Sequence, residues 1–160
     1  MRVGPLFGSD GISHIWRLLM AVHRWRALAC DVLVKPGIQS RQLVWPKNSS
    51  ESQTTITHVT MEPGSVSERH AHERSEQIWI VERGEGILLL GNEQTEALRA
   101  GDIVRTPANE IHGVANSGRE PLVYLAVTTP PQNFSYAYNT IATPVGGSPP
   151  RGRKQASIRT

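Results

Sequence analysis

Histidine is the residue type in this chain best suited to bind a metal ion, and two of the six histidines lie close together. His70 and His72 are separated by one residue. On a strand, residues two apart project from the same face, about 7 Å apart at the backbone, so both imidazoles can reach one ion. Cys30 is the only cysteine, which excludes a cysteine cluster. The pair therefore predicts a metal site with nitrogen and oxygen ligands.

Two longer patterns contain these histidines and a third one. The first pattern runs Gly64, five residues, His70, one residue, His72, four residues, Gln77, six residues, Gly84. The second runs Gly101, five residues, Pro107, Ala108, Asn109, two residues, His112, three residues, Asn116. Together they resemble the two motifs of the cupin superfamily, with sixteen residues between Gly84 and Gly101 as a short inter-motif segment. The resemblance covers about residues 40 to 130 and does not extend into either end of the chain.

The cupin resemblance implies a fold, a metal and a ligand set. The implied fold is all-β, a single double-stranded β-helix, or jelly-roll barrel. The implied ligands are His70, His72, Gln77 and His112, holding one divalent transition ion that is Fe, Mn, Ni, Cu or Zn. Asn109 stands where cupins usually have glycine. Asparagine also tolerates a left-handed backbone, so we expect the turn to be kept.

The third ligand position departs from the cupin pattern, which usually has glutamate there. Glu76 and Gln77 are adjacent, and only one of them can face inward on a strand. Counting back from Gly84 selects Gln77, whereas counting forward from His72 selects Glu76. We predict Gln77. Its neutral amide oxygen would leave the ion its full double charge, which lowers the affinity of the site and raises its Lewis acidity.

Short segments of β type, bounded by Gly, Pro or Asn, must position these side chains. The predicted strands are 55–61, 77–81, 86–90, 95–98, 103–106, 111–115 and 122–128. Their spacing favours a sandwich or barrel, and no helical period interrupts them. Trp79 and Val81 share the inward phase of Gln77. Arg105 and Tyr124 are further candidates for orienting an anionic substrate, although we expect Arg105 to be an outer-surface charge paired with a carboxylate.

The ends of the chain differ from this domain, which we place at residues 38–138. Residues 1–37 form a basic amphipathic segment outside the predicted domain, with a helix predicted between His14 and Cys30 from apolar residues at helical spacing. Its role stays open between a targeting segment, a docking helix and coding sequence upstream of the real start, since Met20 could also initiate. Residues 139–160 are predicted to be a disordered basic tail, because Pro and Gly are frequent and little can be buried.

Charge and hydropathy exclude several classes of function. Residues 46–130 carry a net charge of −5, whereas the two ends together carry +8. A nucleic-acid-binding domain should be basic on its folded surface, so no nucleic-acid partner is predicted. No run of eighteen apolar residues exists, so no membrane span is predicted.

These observations predict a metal-binding protein that acts on a small molecule. We expect a metal-dependent enzyme of the dioxygenase or isomerase type acting on a small oxygenated molecule; the alternative is a non-catalytic cupin that binds or senses a small ligand. A homodimer is predicted, with residues 38–48 adding a strand to a neighbouring subunit. A single cysteine and the lack of a convincing export signal favour the cytoplasm.

Overall fold

The computed structural model describes residues 22–142, and nearly all of its regular structure is β-strand. The strands are β1 (Val32–Lys35), β2 (Ile38–Val44), β3 (Thr55–Met61), β4 (Val66–His70), β5 (Glu76–Arg83), β6 (Glu85–Leu90), β7 (Thr95–Arg99), β8 (Ile103–Thr106), β9 (His112–Ala115), β10 (Leu122–Thr129) and β11 (Thr140–Ala142). Two single 3-10 turns, Ala27–Ala29 and Ser135–Ala137, complete the described elements. The all-β prediction is confirmed.

Two antiparallel sheets make up the fold. One has seven strands in the order β11-β1-β2-β3-β10-β5-β8, and the other has four in the order β4-β9-β6-β7. Several neighbours are distant in sequence, as when β10 lies between β3 and β5. This connectivity is that of a jelly roll, in which two sheets enclose one interior.

The buried face of the larger sheet is apolar at one end of its strands and polar at the other. In β3, Thr55, Thr57, Val59 and Met61 are buried and alternate with half-buried residues. Met61 is next to Leu122 of β10, whereas Thr55 is next to Thr128. The apolar end packs as a core, and the polar end is available for a site inside the barrel.

One turn between the sheets requires a glycine. Gly84 separates β5 from β6 and has a φ of +82°. A Cβ at this position would lie 2.6 Å from the carbonyl oxygen of Pro121. Both the left-handed backbone and the close approach therefore exclude a side chain. This turn carries the chain from the sheet that contains Gln77 to the sheet that contains His112.

The predicted N-terminal helix is wrong where the structure describes it. Val22 to Arg26 are irregular, and Ala27–Ala29 form only a 3-10 turn. Val22, part of the predicted apolar face, is 99% exposed. Instead, the Trp25 indole Nε1 donates to the Leu43 carbonyl at 2.8 Å, which attaches the segment to β2. Residues 1–21 of the predicted segment lie outside the described residues.

Two further expectations change at the margins of the domain. Residues 38–44 form β2, whose two edges pair with β1 and β3, so that strand has no edge left for a neighbouring subunit. The start of the predicted C-terminal tail is β11, which pairs with β1. Pairing of β11 with β1 satisfies backbone groups that would otherwise need water. The rest of that tail, residues 143–160, lies outside the described residues.

Candidate metal centre

Three histidines from two segments of the chain meet at the polar end of the barrel. His70 is the last residue of β4 and pairs with His112, the first residue of β9. His72 lies two residues beyond β4. One ring nitrogen from each of the three lies within 4.8 Å of the others. The sequence-predicted histidines are therefore brought together and can hold one metal ion.

The turn before His112 fixes the position of His72. Asn109 has a φ of +67°, the left-handed backbone expected where cupins usually have glycine. Its backbone N–H donates to the His72 carbonyl at 2.8 Å. His72 has left β4 and lies in a loop, so this bond replaces the strand ladder that we expected to hold both His70 and His72.

Hydrogen bonds orient two of the three imidazoles. His70 Nδ1 lies 2.8 Å from the Glu68 carbonyl, and His112 Nδ1 lies 3.0 Å from the Glu110 carbonyl. A carbonyl oxygen only accepts, so each Nδ1 carries the proton and donates it. The lone pair is then on Nε2 of each ring. This is the arrangement by which backbone carbonyls usually orient metal-binding histidines.

His72 is held neutral by its surroundings. Its side chain is 5% exposed, and its Nε2 has no hydrogen-bond partner among residues 22–142. Burial, with smaller contributions from His70 and His112, lowers the pKa of His72 to about 4, and Gln77 offsets part of the shift. A buried nitrogen without a partner is unfavourable in a folded protein. A metal ion between the three rings would satisfy it.

Gln77 and Glu76 point to opposite faces of β5. Gln77 is 7% exposed and faces the histidines, with its Oε1 3.3 Å from His112 Nε2. Glu76 faces outward and forms an ion pair with Arg105 of β8. The geometry thus favours Gln77 over Glu76 at this position, and Arg105 is the paired outer charge expected from the sequence.

The orientation of the Gln77 amide is determined by its neighbours. The indole Nε1 of Trp79 can only donate, and it lies 2.7 Å from Gln77 Oε1. Gln77 Nε2 in turn donates to the Thr128 hydroxyl at 3.0 Å. With the His112 proton on Nδ1, the lone pairs of His112 Nε2 and Gln77 Oε1 face each other. A cation between these two atoms would relieve their repulsion.

Two of the histidines, His70 and His72, line a cavity of about 390 Å³ together with Gln77. Its walls come from both sheets and from the segment after β10, and include Lys35, Ser40, Thr57, Trp79, Tyr124, Phe134 and Tyr138. The Phe134 ring lies 5.6 Å from the His72 ring, centroid to centroid. Burial raises the pKa of Tyr124 well above its ordinary range, so this phenol remains protonated. The volume suits a small molecule.

Three of these wall residues were not identified as site residues from the sequence. Lys35 lies on β1, and Phe134 and Tyr138 follow β10. The only local signal was the alternation of aromatic residues at 134, 136 and 138. Pairing of β1 with β11 brings both regions to the cavity. That pairing joins residues over a hundred positions apart, which no local pattern indicates.

Comparison with known proteins agrees with this architecture. Residues 57–128 match the family model described as "Cupin domain". That range contains all four sequence-predicted ligands. The chain therefore carries a cupin domain. No helix among the described residues of this cupin is long and apolar enough to cross a membrane.

Individual relatives match different lengths of the chain. An uncharacterized protein of Methanocaldococcus jannaschii is 29% identical over 99 residues, which is 62% of this chain and 78% of that protein. The oxalate-binding protein of Thermotoga maritima is 34% identical over 72 residues, 45% of this chain and 59% of that protein. A solved structure described as a predicted oxalate decarboxylase, from Thermotoga maritima, aligns with a TM-score of 0.59 and 22% identity over 67% of this chain and 98% of that chain. The last likeness shows the fold alone.

Proposed function

We propose that this cupin binds one divalent transition ion through His70, His72, His112 and the Oε1 atom of Gln77, and that it is a metal-dependent enzyme of the dioxygenase or isomerase type. The observation that carries the proposal is the convergence of three imidazoles, within 4.8 Å, two of which line a cavity of about 390 Å³. Imidazole and amide donors suit Fe, Mn, Ni, Cu or Zn. The substrate is a small oxygenated molecule.

The ligand set explains what kind of chemistry the site can support. A bound ion would polarise a carbonyl or carboxylate oxygen of the substrate. Three neutral imidazoles and a neutral amide would not reduce its charge, so the site would attract anions. Trp79 holds the amide oxygen of Gln77 in place, and Phe134 beside His72 limits the access of water. Cys30, the only cysteine, is not among the residues lining the cavity.

The proposal is tested by loading the metal-free protein with Fe(II), Mn(II), Ni(II) or Zn(II) in turn and assaying diketones, phenols, sugar phosphates and small carboxylic acids, with and without O₂. We expect turnover with one of these metals and its loss in His70→Ala. His58→Ala is the matched control, because His58 lies on the outer side of β3 and bonds Glu82 instead. Turnover that survives His70→Ala would contradict the proposal.

The second candidate function is non-catalytic binding of a small carboxylate. It is favoured by the relative named as an oxalate-binding protein, which is 34% identical over 72 residues. Under this alternative, the metal-loaded protein would bind a carboxylate without converting it. Calorimetric titration of the loaded protein with oxalate, followed by analysis of the recovered ligand, distinguishes the two functions.

Assembly and location are part of the same proposal. A homodimer is supported by β8, an edge strand of the larger sheet, on which Ile103 is 71% exposed and lies opposite the 42% exposed Ile80. An edge strand with apolar side chains is a common site of pairing between subunits. We propose that the protein works in the cytoplasm, which suits its single, free and buried cysteine.

A further inference from the structure

A positively charged lysine lines the same cavity as His70 and His72. Lys35 of β1 is half-buried, and its Nζ lies 5.3 Å from the centroid of the Tyr138 ring. Ammonium groups in such positions interact favourably with the ring face. Lys35 lies outside residues 57–128, which match the cupin family model. It therefore lies in a part of the barrel that the matched range does not include.

The Lys35 ammonium makes no salt bridge within residues 22–142. The other cavity cation, Arg69, is already occupied, because it donates to the Leu90 carbonyl and pairs with Glu93. Glu68 is near enough to Lys35 to raise its pKa, but burial lowers that pKa by more, and the two form no ion pair. A half-buried ammonium that forms no salt bridge is a binding group for an anion.

The inference rests on the proposed metal site and makes its substrate class more specific. A ligand held at the histidines through one carboxylate would have the rest of its length within the same cavity, where Ser40, Thr57 and Lys35 line the wall. We propose that Lys35 binds a second carboxylate, so that the cupin selects small dianionic acids whose other carboxylate reaches the metal. Serine and threonine hydroxyls can hydrogen-bond the chain between the two carboxylates.

The test uses pairs of α-hydroxy acids that differ only by a methyl group in place of the distal carboxylate. These pairs are tartronate and lactate, malate and α-hydroxybutyrate, and α-hydroxyglutarate and α-hydroxyvalerate. Affinities are measured with the Co(II)-loaded protein by visible absorption. For at least one pair the dianion should bind about tenfold more tightly or better, the range expected of a hydrogen bond to a charged group.

Variants then assign this preference to Lys35. In Lys35→Met, which keeps the apolar stem beside Tyr138, the dianion should lose most of its advantage while its monoanionic partner binds as before. Lys35→Gln is the second variant should the first not fold. Lys47→Gln is the matched control, because Lys47 is an exposed lysine paired with Asp31 outside the cavity.

The outcomes separate this inference from the proposed function. A Co(II) spectrum with no dianion preference in the wild-type protein, or a preference that survives both Lys35 variants, overturns the inference and leaves the metal site standing. Failure to bind Co(II) overturns both. A preference lost in the Lys35 variants and kept in Lys47→Gln supports both.

Discussion

At the scale of single residues, the unusual feature is an amide where an acid is common. Gln77 Oε1 accepts from Trp79 and faces His112, and its Nε2 donates to Thr128. A carboxylate at this position could accept from both Trp79 and Thr128 as well. An amide instead of a carboxylate at position 77 therefore removes a negative charge from the centre, whereas hydrogen bonds to Trp79 and Thr128 could form with either group.

The substitution Gln77→Glu should change metal affinity and stability in opposite directions. We expect the affinity for Zn(II) to rise by about tenfold or more, because a carboxylate attracts the ion more strongly. Without metal, the free energy of unfolding should fall by about 1 to 3 kcal/mol, because a charge is buried. Competition with a chelator and urea unfolding measure the two effects.

The control for this prediction is Gln42→Glu. Gln42 is also fully buried, but its amide donates to Ser40 on β2 and bonds to none of the histidines. Its substitution should destabilise the protein with and without metal and leave Zn(II) affinity unchanged. Equal Zn(II) affinity for wild type and Gln77→Glu would argue against Gln77 as a ligand.

His72 makes the stability of the metal-free protein depend on pH. Its pKa is about 4 in the folded protein and about 6.5 when unfolded. Between these values the unfolded chain binds the additional proton, so acidification favours unfolding. The free energy of unfolding should fall by up to about 3 kcal/mol from pH 6.5 to pH 4. Urea unfolding of His72→Gln should show a smaller slope over this range, and an unchanged slope would contradict the assignment.

At the scale of elements, the strands that carry the site, such as β3 and β5, were predictable from the sequence. The strands β1 and β11, which bring Lys35 and Tyr138 to the cavity, were not. Residues 55–61 were identified because β-branched residues precede a Pro-Gly turn, and they coincide with β3. The helix predicted before Cys30 rested on local period alone, which the attachment of Trp25 to β2 overrides. Gln77 was selected by its interval to Gly84, whereas Lys35 reaches the cavity only through long-range strand pairing.

The segment between β10 and β11 covers the metal side of the cavity through Phe134. In Phe134→Ala, water should reach a bound Mn(II) more freely, so proton relaxation by the Mn(II)-loaded protein should increase. The loss of a half-buried ring should also lower the free energy of unfolding by about 1 to 2 kcal/mol. Tyr136→Ala removes a neighbouring ring that is 76% exposed and should change neither quantity much. Equal relaxation in wild type and Phe134→Ala would show that Phe134 does not shield the centre.

At the scale of the whole molecule, charge and exposed apolar surface are unevenly distributed. Residues 46–130 are acidic although the chain has a net charge of +3, so attraction of anions by the cupin depends on the local cations at the cavity. Among the strands of residues 22–142, Ile103 is the most exposed large apolar residue. It lies on an edge strand, where a second subunit can extend the sheet.

The homodimer prediction concerns this edge. Light scattering after size exclusion should give about twice the 17.6 kDa mass of one chain. Ile103→Lys should shift the protein toward the single-chain mass, because a charge is placed at the edge. Leu28→Lys alters an equally exposed leucine outside the sheets and should not. A wild-type mass of one chain would contradict the prediction.

The central claim is tested most directly by elemental analysis of the purified protein after reconstitution with Fe(II) or Zn(II) and removal of free metal. The account predicts one ion per chain in the wild-type protein and its loss in folded His112→Ala. A wild-type protein that retains no metal after reconstitution, or a His112→Ala protein that retains one full equivalent, would contradict it.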